Sequence, residues 1–375
     1  MKVLFVVENY LPHIGGVEVV FRNLAEGLVK RGIKATLLTH RLLHAKMNET
    51  MNGVQVKRVR SLHSRYIFSF AAIPFAIKEA LGADIIHTTT FNGALPAWIA
   101  AKLTGKKCVI TVHEAWIGKW QEYTTMKPLE AAMHNFLERL IYMLPFDRYI
   151  AVSNSTRKQL IALGKNPEKV TTVYNAVDYM HFNPKKHSRK AMREELEIEN
   201  DFVVLTYGRP GPSKGIEYAI QAVPLIDVPK LKYIFILSKD SQYLLKLRGI
   251  RAMISKMGME HKIVLLDPVP HKQLPKYIRA ADCVVVPSLS EGFGYTAAEA
   301  CALGVPVVAT NTTSLPEVVS GKYILVEPKS PEEIATAVER VYNKKYTTSP
   351  LKKFLLETNI SNYLKMYREV LHSKK

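Results

Sequence analysis

Cysteine is scarce in this chain: Cys108, Cys283 and Cys301 are the three among 375 residues. They stand in apolar surroundings at spacings that match neither a zinc site nor a disulfide framework, which points to a reduced, cytoplasmic setting. Long hydrophobic runs are lacking too. The run at 3–7 ends at Glu8, too short for the core of a signal peptide and suited to a buried strand. The longest apolar stretch, 66–77, is interrupted by Ser69 and Pro74 and falls short of the ~20 residues a spanning helix needs. No repeat recurs at a period of roughly 20–50 residues and no tract is of low complexity, which argues against solenoids and propellers. G-x-G-x-x-G is absent, and the dinucleotide-binding fingerprint with it.

Acidic charge is also short. Lys and Arg number 52 against 33 Asp and Glu, a formal net charge of +19, with an isoelectric point near 9.6. Such an excess points to an anionic partner: nucleic acid, an acidic membrane surface or a phosphorylated small molecule. A solvated basic surface without a specific partner accounts for the charge about as well. No nucleic-acid module or aromatic stacking platform is recognisable, so a basic nucleic-acid-binding protein is an alternative that rests on charge alone.

What is present is core-forming sequence. With 47% hydrophobic residues the chain can bury a large core, and its length suggests two domains. Strand-like runs at 2–7, 33–39, 55–59, 84–88, 108–113 and 149–152 alternate with helical patterns, the first of them at 17–30 and closed by Gly32. That alternation predicts βαβ units and a parallel sheet in an N-terminal domain, 1–182. The polar, basic run 183–190, NPKKHSRK, reads as a linker. Further strands at 202–207, 231–237, 262–266, 282–286, 305–309 and 323–326 predict a second doubly wound domain, 183–350. A final helix at 351–372 carries Phe354, Leu355, Tyr363, Leu364, Tyr367 and Leu371, so the 351–375 segment must pack on something, and the N-terminal domain is a candidate. The expected fold is α/β, two doubly wound Rossmann-like domains facing across a cleft lined by the loops at their strand C-terminal ends.

The chemistry concentrates in 286–308, VPSLSEGFGYTAAEACALGVPVV, where Glu291 and Glu299 stand eight residues apart around Gly292 and Gly294. Amides of Gly292, Phe293 and Gly294 head a short helix and suit phosphate or sugar oxygens. Glu291 can accept hydrogen bonds from a polyol. Glu299 lies among Ala297, Ala298, Ala300 and Ala302, which suggests a facing ligand; an ordinary helix-surface carboxylate is the other reading. At 207–215, YGRPGPSKG places Arg209 and Lys214 on a loop after a strand, where a guanidinium fork and a compact ammonium would serve a leaving diphosphate. Gly15 and Gly16 precede the first helix, whose N-terminus favours an anion, although a tight turn needs glycine on its own account.

The run E-G-F-G-x-x-x-x-E-A with downstream G-x-P-V-V-A-T resembles glycosyltransferase family 4, retaining nucleotide-sugar enzymes of the GT-B fold. The similarity spans nearly the whole chain through G-G-V-E at 15–18, T-V-H-E at 111–114, V-S-N-S at 152–155, Y-N-A-V-D at 174–178 and the Arg209–Lys214 loop. It implies that Arg209 and Lys214 bind the donor diphosphate and stabilise it as it leaves, that Glu291 contacts the donor sugar and that Glu299 holds the ribose. It places His113 near the transferred sugar, with Glu114 less clearly involved, and Gly15 and Gly16 near the phosphate and acceptor. No D-x-D motif occurs, and the family needs no divalent ion or other cofactor for the chemical step. The implied activity is transfer of a hexose-type sugar, with retention, from a UDP- or GDP-sugar to a hydroxyl of a lipid, glycan or small molecule. Epimerisation or phosphorolysis on a related scaffold is the enzymatic alternative.

Two departures from the family pattern, Ser238-Lys239-Asp240 after one strand and 265–269 after the next, leave the base open. The segment 57–78, with Arg58, Arg60, His63, Arg65, Tyr66, Phe68, Phe70 and Phe75, suggests a peripheral face for anionic lipid at the inner side of the cell membrane; an ordinary packed helix with solvated arginines explains it equally.

Overall fold

Short β-branched runs separated by amphipathic helices fold here into two sheets in which all but the outermost strand pairing is parallel. The computed structural model describes residues 1–13, 15–62 and 64–373; His63 lies outside the described residues. The chain divides into one unit of Met1–Trp120, Pro128–Ala176 and Phe354–Lys375, and another of Gln121–Lys127 and Val177–Lys353.

The sheet of the first unit contains β1 (Lys2–Val6), β2 (Lys34–His40), β3 (Asn48–Met51), β4 (Val54–Val59), β5 (Ile85–Thr89), β6 (Lys107–Val112), β7 (Arg148–Ala151) and β8 (Val170–Thr172), in the order β3-β4-β2-β1-β5-β6-β7-β8. Its central strands are buried along nearly their whole length, as a sheet covered on both faces requires. The edge strand β3 escaped the sequence reading because its side chains are only partly covered. Its signal was the dipeptide Asn52-Gly53, both at positive φ, which closes the β3–β4 hairpin.

The second unit contains β9 (Phe202–Gly208), β10 (Leu231–Leu237), β11 (Ile263–Leu266), β12 (Cys283–Val286), β13 (Val307–Thr310), β14 (Lys322–Val326) and β15 (Thr347–Thr348), in the order β11-β10-β9-β12-β13-β14-β15. The run 183–190 is not a linker. Pro184–Lys186 form a 3-10 turn, a helix begins at Arg189, and Arg189 and Arg193 both pair with Asp282. Sequence composition could not show this, since the acid that neutralises those arginines is about ninety positions away.

The last helix starts at Leu356 rather than 351 and runs to His372. It belongs to the first unit, where Ile360, Tyr363, Leu364, Met366, Tyr367 and Val370 share a core with Phe5, Phe21, Leu24 and Leu28. The Tyr367 hydroxyl lies 2.5 Å from His87 Nδ1, and His87 Nε2 lies 2.7 Å from Thr111 Oγ1. Burial lowers the His87 pKa to about 3, so the ring is neutral at physiological pH. Gly27 has no side chain to obstruct Ile360, which occupies the space a Cβ would take.

The 57–78 segment is less of a surface than its composition suggested. Arg58 is buried, paired with Glu49 and bonded to the Lys46 and Leu11 carbonyls; Phe68 is in the core; Lys57 lies 2.6 Å from Glu79. Arg60, Arg65, Tyr66, Phe70 and Phe75 are exposed. Among the described residues no helix is long and apolar enough to cross a membrane.

Candidate functional site

A doubly wound sheet opens a crevice at the C-terminal ends of the two strands where its order reverses. In the second unit those strands are β9 and β12, and the loops at 209–215 and 287–294 begin at their ends. The loops are tied together by backbone: Leu289 N donates to Ser213 O at 2.7 Å, and Ser290 N to the same oxygen at 3.3 Å. Gly215 sits at φ +59°, and a Cβ there would collide with the Pro287 carbonyl. Glycine is required at that crossing.

Lys214 and Glu291 meet here. The Lys214 Nζ is 2.7 Å from Glu291 Oε1, which also accepts from Ser288 Oγ at 2.8 Å. The Glu291 backbone is held as well, its amide donating to Thr313 Oγ1 at 2.9 Å and its carbonyl accepting from Ser314 Oγ at 2.8 Å. A buried carboxylate fixed on both sides is a rigid acceptor, and an ammonium held against it is placed without further ordering. Arg209, by contrast, is exposed at the start of the loop after β9. Gly292, Phe293 and Gly294 are buried, and Gly294, at φ +89°, caps the helix Tyr295–Ala302 while its missing Cβ leaves room for Leu315 Cδ2.

Glu299 lies on that helix and is buried. The Tyr207 hydroxyl, at the end of β9, is 2.9 Å from Glu299 Oε2 and 3.0 Å from the Thr296 carbonyl oxygen. It carries a single proton, and a carbonyl can only accept. Both contacts are satisfied together when Tyr207 donates to Thr296 and a protonated Glu299 donates to the Tyr207 oxygen. Burial favours the same state, pushing the Glu299 carboxyl up to about 8; a hydrogen bond that Tyr207 would donate to the ionised carboxylate acts in the other direction and is the smaller effect. Tyr207 was not singled out by sequence. Its signal was the aromatic ending the strand before the Arg209–Lys214 loop. The two departures noted beside these loops are also neighbours, since Lys239, after β10, forms an ion pair with Asp267, after β11.

In the first unit the order reverses between β1 and β5. A cavity of about 230 Å³ opens there, lined among others by Glu8, Glu18, Phe91, His113, Trp116 and Trp120. Gly15 caps the helix Gly16–Lys30, and a Cβ on it would come within 2.5 Å of Glu18 Oε2, while Gly16 has open space. Glu18 Oε1 is 3.0 Å from His13 Nδ1. His113 sits just beyond β6. Its Nε2 is buried without a partner, and burial lowers its pKa to about 4 despite Glu18 nearby, so it is neutral at pH 7. Glu114 also lines this cavity.

Sequence reasoning missed the floor of this cavity. Glu138 accepts from the Trp116 amide at 3.0 Å and from Trp120 Nε1 at 2.7 Å, and burial raises its pKa. Trp116 and Trp120 pack edge to face at 5.2 Å, as do Phe91 and Trp120. Two of the three tryptophans of the chain falling within seven residues of His113 was the available signal. Among the described residues, no group of three or more His, Cys, Asp or Glu is placed to hold a metal ion.

Each unit is a doubly wound sheet with loops gathered at the C-terminal ends of its switch-point strands, which defines the class of architecture. Comparison with known proteins gives the family. Residues 14–180 match the model of Glycosyltransferase Family 4 and residues 188–354 that of Glycosyl transferases group 1. An uncharacterized glycosyltransferase of Methanocaldococcus jannaschii is 29% identical over 382 residues, covering 95% of this chain and 94% of that protein. D-inositol 3-phosphate glycosyltransferase of Mycobacterium bovis is 27% identical over 318 residues, 80% of this chain and 65% of the other. Among solved structures, Anabaena HepE in complex with UDP superposes with a TM-score of 0.79 at 20% identity, covering 98% of this chain and 100% of that one. Sucrose-phosphate synthase of Thermosynechococcus elongatus gives 0.80 at 20% identity, covering 100% and 99%. The chain belongs to the family 4, group 1 glycosyltransferases and has the GT-B fold.

Proposed function

We propose that this glycosyltransferase moves a hexose-type sugar from a nucleoside-diphosphate donor to a hydroxyl acceptor with retention of configuration and without a divalent ion. The observation that carries the reading is the Lys214–Glu291 pair at the β9/β12 switch point. In this reading the bond between the anomeric carbon and the diphosphate oxygen breaks, and Lys214, Arg209 and the amides of Phe293 and Gly294 take up the charge that develops on the leaving group. The acceptor oxygen bonds to the same face of that carbon, and its proton passes to the departing phosphate. Glu291 orients the sugar hydroxyls and Glu299 the ribose, and the neutral His113 is assigned a role toward the transferred sugar. Gly15 and Gly16 give close approach to phosphate and acceptor. We also place the enzyme at an anionic membrane surface on the cytoplasmic side.

A thermal-shift panel of UDP-, GDP- and ADP-sugars tests the donor. HepE was solved with UDP, which makes UDP-sugars the first to try. A donor at a hundred times its Kd adds about 2.7 kcal/mol to the free energy of unfolding, so one base should raise the melting temperature clearly. The reading is lost if no nucleotide sugar moves it.

Glu299 supplies a sharper test. In the free protein its carboxyl is largely protonated at pH 7, because burial has raised its pKa to about 8. A ribose hydroxyl donating to it favours the carboxylate and lowers that pKa, so binding the nucleotide at pH 7 should release up to about one proton. The release should vanish above pH 9, where the carboxyl is already ionised. Calorimetry in buffers of different ionisation enthalpy measures it, and Glu299→Gln should abolish the buffer dependence. An equal buffer dependence in that variant would remove Glu299 from the ribose.

A further inference from the structure

The cavity at the β1/β5 switch point has walls whose charge is the reverse of the chain's. The whole sequence carries a formal net charge of +19, yet Glu8, Glu18, Glu114 and Glu138 line this cavity and no Lys or Arg is among the described residues that do. Glu18 is buried in the first turn of the helix Gly16–Lys30, with one oxygen against His13. Glu8, just beyond β1, accepts from Asn92 Nδ2 at 2.6 Å on one oxygen and has the half-exposed Arg65 at 3.8 Å from the other. That guanidinium is not part of the lining.

Three aromatic side chains stand beside the carboxylates. Both Glu138 oxygens are taken by the tryptophans, one by the Trp116 amide and one by Trp120 Nε1, which fixes the two indoles. Phe91 packs edge to face with Trp120 and sits at φ +72°, a conformation that a bulky residue seldom adopts. His113 Nε2 ends in the same lining, buried and one hydrogen bond short. A buried polar atom in that state is costly unless a ligand supplies the missing partner.

A hexose or cyclitol ring matches such a lining. Its C–H face packs on aromatic rings, and its hydroxyls donate to carboxylates, each oxygen of which accepts more than one hydrogen bond. A phosphate does not match. No lining cation neutralises it, and at an effective dielectric constant of about 20 two like unit charges about 6 Å apart repel enough to weaken binding by about a hundredfold. We propose that this cavity selects an acceptor whose reacting ring is an uncharged polyol, a sugar or cyclitol bearing no phosphate, and that Glu18 and Glu114 exclude the anion. The inference rests on the sugar-transfer reading above and narrows its acceptor: the end of a neutral glycan or a polyol headgroup fits, and a sugar phosphate does not.

Intrinsic fluorescence tests it, because two of the three tryptophans, Trp116 and Trp120, line the cavity. The full chain is titrated with glucose, mannose and myo-inositol and with a monophosphate of each, in the presence of the nucleotide sugar that raises its melting temperature. At least one neutral compound should give a saturable change that Trp120→Phe, or Trp116→Phe if that variant does not fold, diminishes. Its monophosphate should bind at least about tenfold more weakly, and Glu18→Gln should narrow that gap by about tenfold by removing one of the repelling charges. Glu114→Gln serves if the Glu18 variant does not fold. A monophosphate that binds as tightly as its parent overturns the inference, as does the lack of any response to the neutral compounds up to their solubility, or a gap that neither glutamine variant changes. Each of these outcomes leaves the nucleotide-sugar shift in melting temperature intact, whereas loss of that shift in the wild type counts against the donor reading instead.

Discussion

Lys214→Ala is expected to lower turnover of the donor by about 10²–10³-fold, the loss that follows removal of one preorganised stabiliser of transition-state charge. Two effects add in the same direction. The diphosphate loses the ammonium that would neutralise it as it departs, and Glu291, buried 2.7 Å from that ammonium, is left with the Ser288 hydroxyl as its side-chain partner. An uncompensated buried carboxylate is destabilising, so the melting temperature should fall as well. Arg209→Ala separates the effects. Arg209 is exposed, so its removal should cut turnover with little change in melting temperature. Steady-state kinetics with the donor found in the thermal-shift panel decides between them. Near-normal turnover in both variants would sink the assignment of these cations to the leaving group, and a fall in stability alone for Lys214→Ala would make it a support for Glu291.

Asp282→Ala should be among the most destabilising single changes in the second unit. Its carboxylate accepts from Arg189, from Arg193 Nη1 at 3.0 Å and from the Val203 amide at 2.9 Å, so it joins the helix Arg189–Glu195 to the start of β9. Arg193 is buried, and without Asp282 it keeps its carbonyl acceptors, Ala280 and Asp201, but no counter-charge. Breaking a buried pair from one side costs about 3–5 kcal/mol, and the partial exposure of Asp282 puts the expected loss near the lower end. Arg189→Ala removes the more exposed partner and should cost less than about 1 kcal/mol. Urea unfolding of the two variants measures both losses. If Arg189→Ala proves the more damaging, the charge centre has been placed on the wrong arginine.

The basic run 183–190 shows where sequence reading stops. Its composition is that of a solvated connection, because a local window contains the arginines and not the aspartate they meet. The same limit explains the 57–78 segment, whose buried Arg58 reads as an exposed cation until Glu49 and two carbonyls are seen to surround it. The Tyr207–Glu299 and Lys214–Glu291 pairs have the same origin. Each joins residues that are 77 or more positions apart, and each exists because β9 and β12 lie side by side at the reversal of strand order.

Periodicity, by contrast, is local. Continuous apolar runs of four to seven residues separated by amphipathic helices can bury their backbone polar groups and both faces in one common way, a parallel sheet between helix layers, so the α/β class and the two-sheet organisation could be read from order alone. The glycine-rich turns at 209–215 and 287–294 were local too, since backbone that must turn sharply beside a strand end selects glycine. Protonation was not local. The neutral His113 and the raised Glu299 depend on desolvation and on groups delivered by other strands. Both are properties of packing, and they arise only once the chain has closed around those side chains.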